Sequence, residues 1–145
     1  MSSQATVIGL WICAGHREPM APVECVRAVE NLGLEGDRHA QANSKRQVLF
    51  MESETLEELG LEAGQVKENV TTRGIGLMNL PIGTRLRAGE AIFEITQACH
   101  PCERMEELRP GLRETLAGQR GMLASVKQSG IIKVGDAILI EAPPV

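Results

Sequence analysis

Apolar positions along the chain fall in short runs separated by glycine, the texture of strands closed by turns. Ala5–Ala14 (ATVIGLWICA) is apolar throughout, which predicts a strand buried on both faces. Val23–Val29 alternates loosely and carries β-branched residues. Further strands are expected at Gln47–Met51, Asn69–Thr72, Thr84–Arg87, Ala91–Thr96, Met122–Val126 and Ala137–Glu141. The stretches PIGTRLRAGEAIFEI and IIKVGDAILIE share a pattern: a β-branched residue, a glycine, a short polar step, then an apolar strand. That reads as tight turns in a barrel-like sheet. Helical pattern is scarcer. Ser53 is placed to cap Glu54–Leu59, with Gly60 ending it. Cys102–Leu108 reads as a second helix stopped by Pro110 and Gly111, and Leu112–Ala117 as a third. These helices do not alternate regularly with strands, so the expected fold is mainly β with a few short helices.

No low-complexity tract, linker or charge block divides the 145 residues, so 1–145 is expected to form a single domain. Fifteen Lys and Arg against nineteen Asp and Glu give a net charge of −4, which leaves no broad electrostatic footprint for nucleic acid. Aromatic residues are only 2% of the chain, too few for a base-stacking platform. Any anion site must be local. Ala5–Gly15, the longest uncharged apolar stretch near the start, is well short of the roughly 20 residues of a membrane span. No Lys or Arg precedes Arg17, so the positive region of a signal peptide is missing. The expectation is a cytoplasmic protein, away from membranes, with its four cysteines mostly reduced.

The sharpest chemical feature is Cys99-His100-Pro101-Cys102, between the expected strand AIFEIT and the expected helix ERMEEL. A thiol at the start of a helix meets free backbone N–H groups, which favour its thiolate, and His100 and Arg104 add positive charge. Of the two cysteines, Cys102 sits at the cap or first turn and is the better nucleophile candidate. The plain alternative is two small buried side chains. Structural zinc is weakly supported, because Cys13, Cys25, His16 and His39 have no paired ligand spacing. A thioredoxin-like redox pair would need βαβ units before the motif, and none is read there. A single activated cysteine attacking an electrophile, or carrying sulfur as a persulfide, also fits. Cys99 would then be a resolving thiol or a packing residue, while Cys13 and Cys25 are expected to be buried in strands.

Two polar segments accompany the cysteines. Gly33-Leu34-Glu35-Gly36-Asp37-Arg38-His39, with Lys45 and Arg46 beyond it, suggests a tight loop with basic tips that can hold a phosphate or another anion. Lys67-Glu68-Asn69-Val70-Thr71-Thr72-Arg73-Gly74 places amide, hydroxyl and cationic donors on a short strand. Turn chemistry is the commoner explanation of such a strand end. No Walker-type or dinucleotide-type glycine loop is present.

The ordered series GLEGDRH, RQVLFMESETLEEL, KENVTTRGI, LPIGTRLRAGEAIFEIT, HPC and RGMLASVKQSGIIKVGDAI resembles a MOSC domain, the C-terminal domain of molybdenum-cofactor sulfurases, also found in small bacterial proteins. The resemblance is clearest over residues 33–140. It implies a single barrel-like β domain and matches Cys102 to the family's cysteine, which carries sulfur or ligates the molybdenum of a bound pterin cofactor. It also implies that Arg46, Lys67, Asn69 and Thr71 face the anionic pterin–phosphate part. The local cationic cluster, with the resemblance, predicts that the Arg38–His39 loop and Arg46 bind the anionic ligand in the same cleft as Cys102. Cys99 has no counterpart in the family pattern. The pyridoxal-phosphate domain of the sulfurases has no match in this sequence, so no pyridoxal phosphate site is expected.

The leading expectation is therefore a sulfur carrier or sulfurtransferase holding sulfane sulfur on Cys102 and passing it to the molybdenum cofactor or another small acceptor. Its partners would be a small-molecule sulfur donor or acceptor, the pterin cofactor, or a sulfur-donor protein. Alternatives are a molybdenum-dependent reductase of N-oxygenated compounds served by an electron-transfer protein, a C–S bond-cleaving enzyme, and a non-catalytic module that binds or delivers the cofactor.

Overall fold

The computed structural model describes residues 4–15 and 18–141. Its strands are β1 (Thr6–Ile12), β2 (Ala21–Val23), β3 (Cys25–Val29), β4 (Gly33–Leu34), β5 (Val48–Glu52), β6 (Val70–Arg73), β7 (Arg85–Ala88), β8 (Ala91–Ala98), β9 (Met122–Gln128), β10 (Gly130–Lys133) and β11 (Ile138–Glu141). Three short helices, α1 (Ser53–Glu58), α2 (Glu103–Leu108) and α3 (Leu112–Thr115), lie between them. Eight strands form one sheet in the order β11-β7-β8-β9-β5-β6-β1-β2, and β10-β3-β4 form a second. The large sheet curls back on itself. Backbone bonds from Val7 N–H to Asp136 O (2.9 Å), Gly135 N–H to Val7 O (2.7 Å) and Ile138 N–H to Ala5 O (2.8 Å) bring β1 against the start of β11. The mainly β, barrel-like architecture expected from the apolar runs is what the chain adopts.

The main core fills the inside of this curl. Phe50 and Phe93, both fully buried, meet edge to face with ring centroids 5.2 Å apart. A second, smaller core of Met51, Leu56, Leu61, Val66, Met105, Leu112 and Leu116 lies on the other side of β5 and gathers the three helices. Because side chains alternate along a strand, Phe50 serves one core and Met51 the other. Met105 in α2 is the link that matters for function: it anchors to the second core the helix that begins just after Cys102.

Several details depart from the pattern reading. The strand buried on both faces is β5, not β1, where Ile8 is exposed. The single run expected at Val23–Val29 is two strands broken at Glu24: β2 pairs with β1 in the large sheet, and β3 pairs with β10 and β4 in the small one. Val26 and Ala28 face inward from β3, which turns Cys25 outward and leaves it exposed. Ser53 does not cap α1 but is its first residue, following Glu52, and its hydroxyl bonds Glu54 Oε1 (3.3 Å). The other end of α1 follows the expectation. Gly60, at φ +70°, lets its own N–H reach Glu57 O and the Leu61 N–H reach Leu56 O (2.8 Å), while Leu61 and Leu56 share the second core.

Glu54 carries a testable charge effect. Its burial works to raise the carboxyl, but the Gly74 N–H (2.8 Å), the Ser53 hydroxyl and the Arg73 charge outweigh that and leave it lowered. A lowered carboxyl contributes stability above its unfolded-state pKa, and that contribution is lost as pH falls through the folded value. Glu54→Gln is therefore expected to reduce the melting temperature at pH 7, with the difference shrinking as acid titration protonates the folded carboxyl. A loss that stays equal through the titration would assign the effect to packing.

Candidate functional site

The site is built where β8 ends. β8 carries a bulge between Ile95 and Gln97 in its pairing with β9, and Thr96, the extra residue, turns its hydroxyl to Leu123 O (3.1 Å) and to Lys45 O. The strand then delivers Cys99, whose N–H bonds Gly121 O (2.9 Å) and whose side chain packs with Leu49 and Leu123. Three residues later Cys102 occupies the N-cap position of α2 in extended conformation, exposed and free. Cys99 is also free, but buried.

The GDRH loop approaches from the opposite side. Asp37, buried, accepts the Cys13 N–H on Oδ1 (2.8 Å) and the His39 N–H on Oδ2 (3.2 Å), and Oδ2 also meets His39 Nδ1 at 3.2 Å. Arg38 N–H closes the loop on Cys13 O (2.7 Å). A carboxylate only accepts, so His39 Nδ1 is the donor in this contact. Cys13 therefore lies beyond the end of β1 rather than inside an apolar strand. Its thiol is directed to Gly15 O (3.0 Å) and Glu18 O (3.3 Å). His16, a ligand considered for zinc, falls outside the described residues.

Between these parts is a cavity of about 400 Å³. Arg38, His39, Arg46, His100 and Cys102 form its exposed mouth. Cys13, Leu49, Asn69, Cys99, Met105, Arg120 and Leu123 are buried, with Lys67 and Arg104 between. Five of the fourteen lining residues are Lys or Arg and none is Asp or Glu. In a chain with more acidic than basic residues, that makes the cavity a locally cationic chamber. Around it lie three of the four thiols. A shallower groove of about 440 Å³ adjoins it, sharing Lys67, Arg104 and Met105 and continuing over Trp11, Met20 and Leu108.

The structure thus gathers Arg38, His39, Arg46, Lys67, Asn69, Cys99 and Cys102 around one space, although the first and last are far apart in sequence. Thr71 does not join them. It is fully buried, its hydroxyl donating to Glu68 Oε2 (2.6 Å) and accepting from Trp11 Nε1 (3.1 Å), so its expected cofactor contact is corrected to an internal tie. Asn69 borders the cavity, but its side chain is committed: Oδ1 accepts the Leu49 N–H (3.0 Å) and Nδ2 donates to Trp11 O (3.2 Å). It joins β1, β5 and β6. Lys67 has φ +68°, a left-handed conformation uncommon for a side-chain-bearing residue, and its Nζ donates to Glu18 O (3.2 Å).

Arg120 is the residue that pattern reading missed. It is 4% exposed, and one guanidinium nitrogen donates to Val66 O, while Nε and Nη1 have no hydrogen-bond partner among the described residues. The adjacent Gly121, at φ +107°, packs so closely that a Cβ would lie 2.3 Å from Phe50 O. Only glycine permits that approach, and it fixes where Arg120 enters the core.

The sequence profile of the MOSC domain matches residues 35–139. The chain belongs to the MOSC domain family. The YuaD protein from Bacillus subtilis has a similar structure, with TM-score 0.79, 19% identity and 94% of each chain covered. YiiM from Geobacillus stearothermophilus aligns at TM-score 0.77 and 20% identity over 95% of this chain and 75% of its own. YiiM from Escherichia coli aligns at 0.71 and 20% over 99% and 71%. At these identities the likeness speaks for the fold. No curated protein matches the sequence significantly.

MOSC domains are associated with the molybdenum cofactor, and this cavity can be tested for fit. Its volume lies within the range of about 300–1,000 Å³ typical of ligand sites. Its cations and the unpaired Arg120 nitrogens suit an anionic ligand, and Cys102 is a soft donor suited to a metal. Among the described residues no three His, Cys, Asp or Glu side chains are grouped to hold a metal by themselves. A metal at Cys102 would have to bring its other ligands with it, as a pterin dithiolene does. Nor is any helix in the described residues long and apolar enough to cross a membrane.

Proposed function

We propose that this MOSC domain carries sulfane sulfur on Cys102 and transfers it to an anionic acceptor held in the cationic cavity. The observation that carries this reading is an exposed free thiol at the mouth of a chamber bounded by five cations and no carboxylate. In the loading step the Cys102 thiolate attacks the terminal sulfur of an inorganic polysulfide. A Cys–S–S bond forms, the donor S–S bond breaks, and the shortened polysulfide leaves with the electron pair. Neighbouring guanidinium and ammonium groups offset the negative charge that both reactants bring.

The same chamber would accommodate the molybdenum cofactor, with Arg38, Arg46, Lys67 and Arg120 toward its anionic groups and Cys102 toward the metal. Bound there, the cofactor would supply redox chemistry or accept sulfur, and the chain's own part would be to bind it and shield it from water. Whole-protein mass spectrometry tests the sulfur reading. After polysulfide treatment and desalting, the protein should gain the mass of one sulfur atom, localised to Cys102. Sulfur found on Cys25, or on no cysteine, would refute it. Arg46→Ala should weaken binding of inorganic phosphate by about 1.5 kcal/mol, the low end for hydrogen bonds to charged groups because Arg46 is exposed. Unchanged affinity in calorimetry would remove Arg46 from the site.

A further inference from the structure

Four of the cations around the cavity, Arg38, Arg46, Lys67 and Arg120, have no carboxylate within 4.0 Å among the described residues. The first three reach solvent to some degree, so water accounts for them. Arg120 does not: it is 4% exposed with two unpartnered nitrogens, and a buried guanidinium in that state calls for an anion. Its position is informative. Through Gly121 O its backbone neighbour holds the Cys99 N–H, and its own side chain holds Val66 O, next to Lys67. Arg120 therefore spans from the strand that delivers the cysteines to the segment that delivers Lys67. The buried lining besides Arg120 is apolar Leu49, Met105 and Leu123, the thiols of Cys13 and Cys99, and Asn69, whose side chain is already paired, so charge is the main selector of the ligand.

We propose that this end of the cavity seats a small oxoanion of sulfur, and that sulfite is the acceptor of the sulfane sulfur. The proposal rests on the sulfur-carrying reading above and names its acceptor. A persulfide anion and a sulfite dianion repel each other in water, and a chamber with several uncompensated cations brings them together. Sulfite also has the required nucleophile, a lone pair on sulfur. That lone pair attacks the outer sulfur of the Cys102 persulfide anion and a new S–S bond forms. The bond to Sγ breaks with its electron pair remaining on Sγ, and thiosulfate departs from a regenerated thiolate. No proton moves and no external oxidant or reductant is consumed.

The test loads the full chain with sulfur from polysulfide, removes the donor, and measures thiosulfate after adding sulfite. The expected results are one equivalent of thiosulfate, return of the protein to its unloaded mass, and competition by sulfate. Arg120→Met should slow the transfer about tenfold or more at low sulfite, the loss of a charged hydrogen bond, with Arg120→Lys recovering part of it. Removal of the same sulfur by the neutral thiol β-mercaptoethanol should slow less than transfer to sulfite, so the sulfite-to-thiol preference should fall in Arg120→Met and partly return in Arg120→Lys. If Arg120→Met fails to fold, sulfate competition and the sulfite-to-neutral-thiol preference of the native chain decide the matter. A loaded protein that yields no thiosulfate, or one in which sulfate does not compete, overturns the acceptor while leaving sulfur loading in place. Calorimetry in which inorganic phosphate binds and sulfite does not assigns the seat to a phosphate-bearing ligand and overturns it too. If no persulfide forms at all, the sulfur-carrying reading falls and takes the acceptor with it.

Discussion

Cys102→Ser is expected to abolish sulfur loading outright, since a serine hydroxyl forms no persulfide and is a poor ligand for a soft metal. The comparison that makes this informative is Cys25→Ser. Both cysteines are exposed, so a small alkylating reagent should reach both, whereas Cys13 and Cys99 are buried and should react slowly. Accessibility alone would let Cys25 load as well as Cys102. The cavity predicts otherwise, because Cys25 lies on β3 in the small sheet and does not border the cationic chamber. Full loading in Cys25→Ser with none in Cys102→Ser is the expected pair of results. Loading that survives in Cys102→Ser would remove the thiol from the proposed chemistry. Cys99→Ala should load normally, because its side chain packs with Leu49 and Leu123 and its N–H, which the substitution keeps, is what ties it to β9.

The second large effect concerns stability. Arg120→Met should raise the stability of the ligand-free protein by up to about 3 kcal/mol. Replacing buried ionic groups by apolar side chains of similar volume is often neutral or gains about 1–4 kcal/mol, and about 1 kcal/mol is lost with the bond to Val66 O. Sulfate should narrow the gap, since an anion that binds only the folded native chain stabilises it by mass action and has no seat in the variant. Thermal melts with and without sulfate test both halves. A variant several degrees less stable than the parent in either buffer would show Arg120 to be a structural tie instead of a group awaiting an anion.

The strands were legible because β-branched runs closed by glycine leave few alternatives, and β5, β7, β8 and β9 lie close to where those runs stand. The break at Glu24 was not legible. Val23 through Val29 reads as one alternating run, and only long-range pairing, β2 to β1 and β3 to β10, divides it. The same limit shaped the site. Cys102 was visible through its local context between strand and helix. Arg120 sits in a glycine-flanked loop that resembles many solvated turns, and its burial arises from contacts with Val66 and β5 that no local window contains. Thr71 shows the reverse error. The family resemblance placed it with Asn69 toward the anionic cofactor, but Glu68 and Trp11 take up its hydroxyl. Cys13 was judged by the apolar run it lies in, while in the structure its N–H bonds Asp37 and it borders the cavity.

Early and late strands meet in this fold twice over: β1 touches the start of β11, and β3 pairs with β10. Both pairings join residues separated by most of the sequence, and such closures are slow and come late in folding. During synthesis, β1 and β3 must therefore wait for their partners until β10 and β11 have left the ribosome. The chamber is subject to the same delay, since Arg38, Arg46 and Lys67 come early while Arg104 and Arg120 come late. A nascent or prematurely terminated chain lacking β9–β11 would have its first cysteines but no assembled cationic pocket. Assembly of the cationic chamber is in this way tied to the synthesis of β9 and the strands after it.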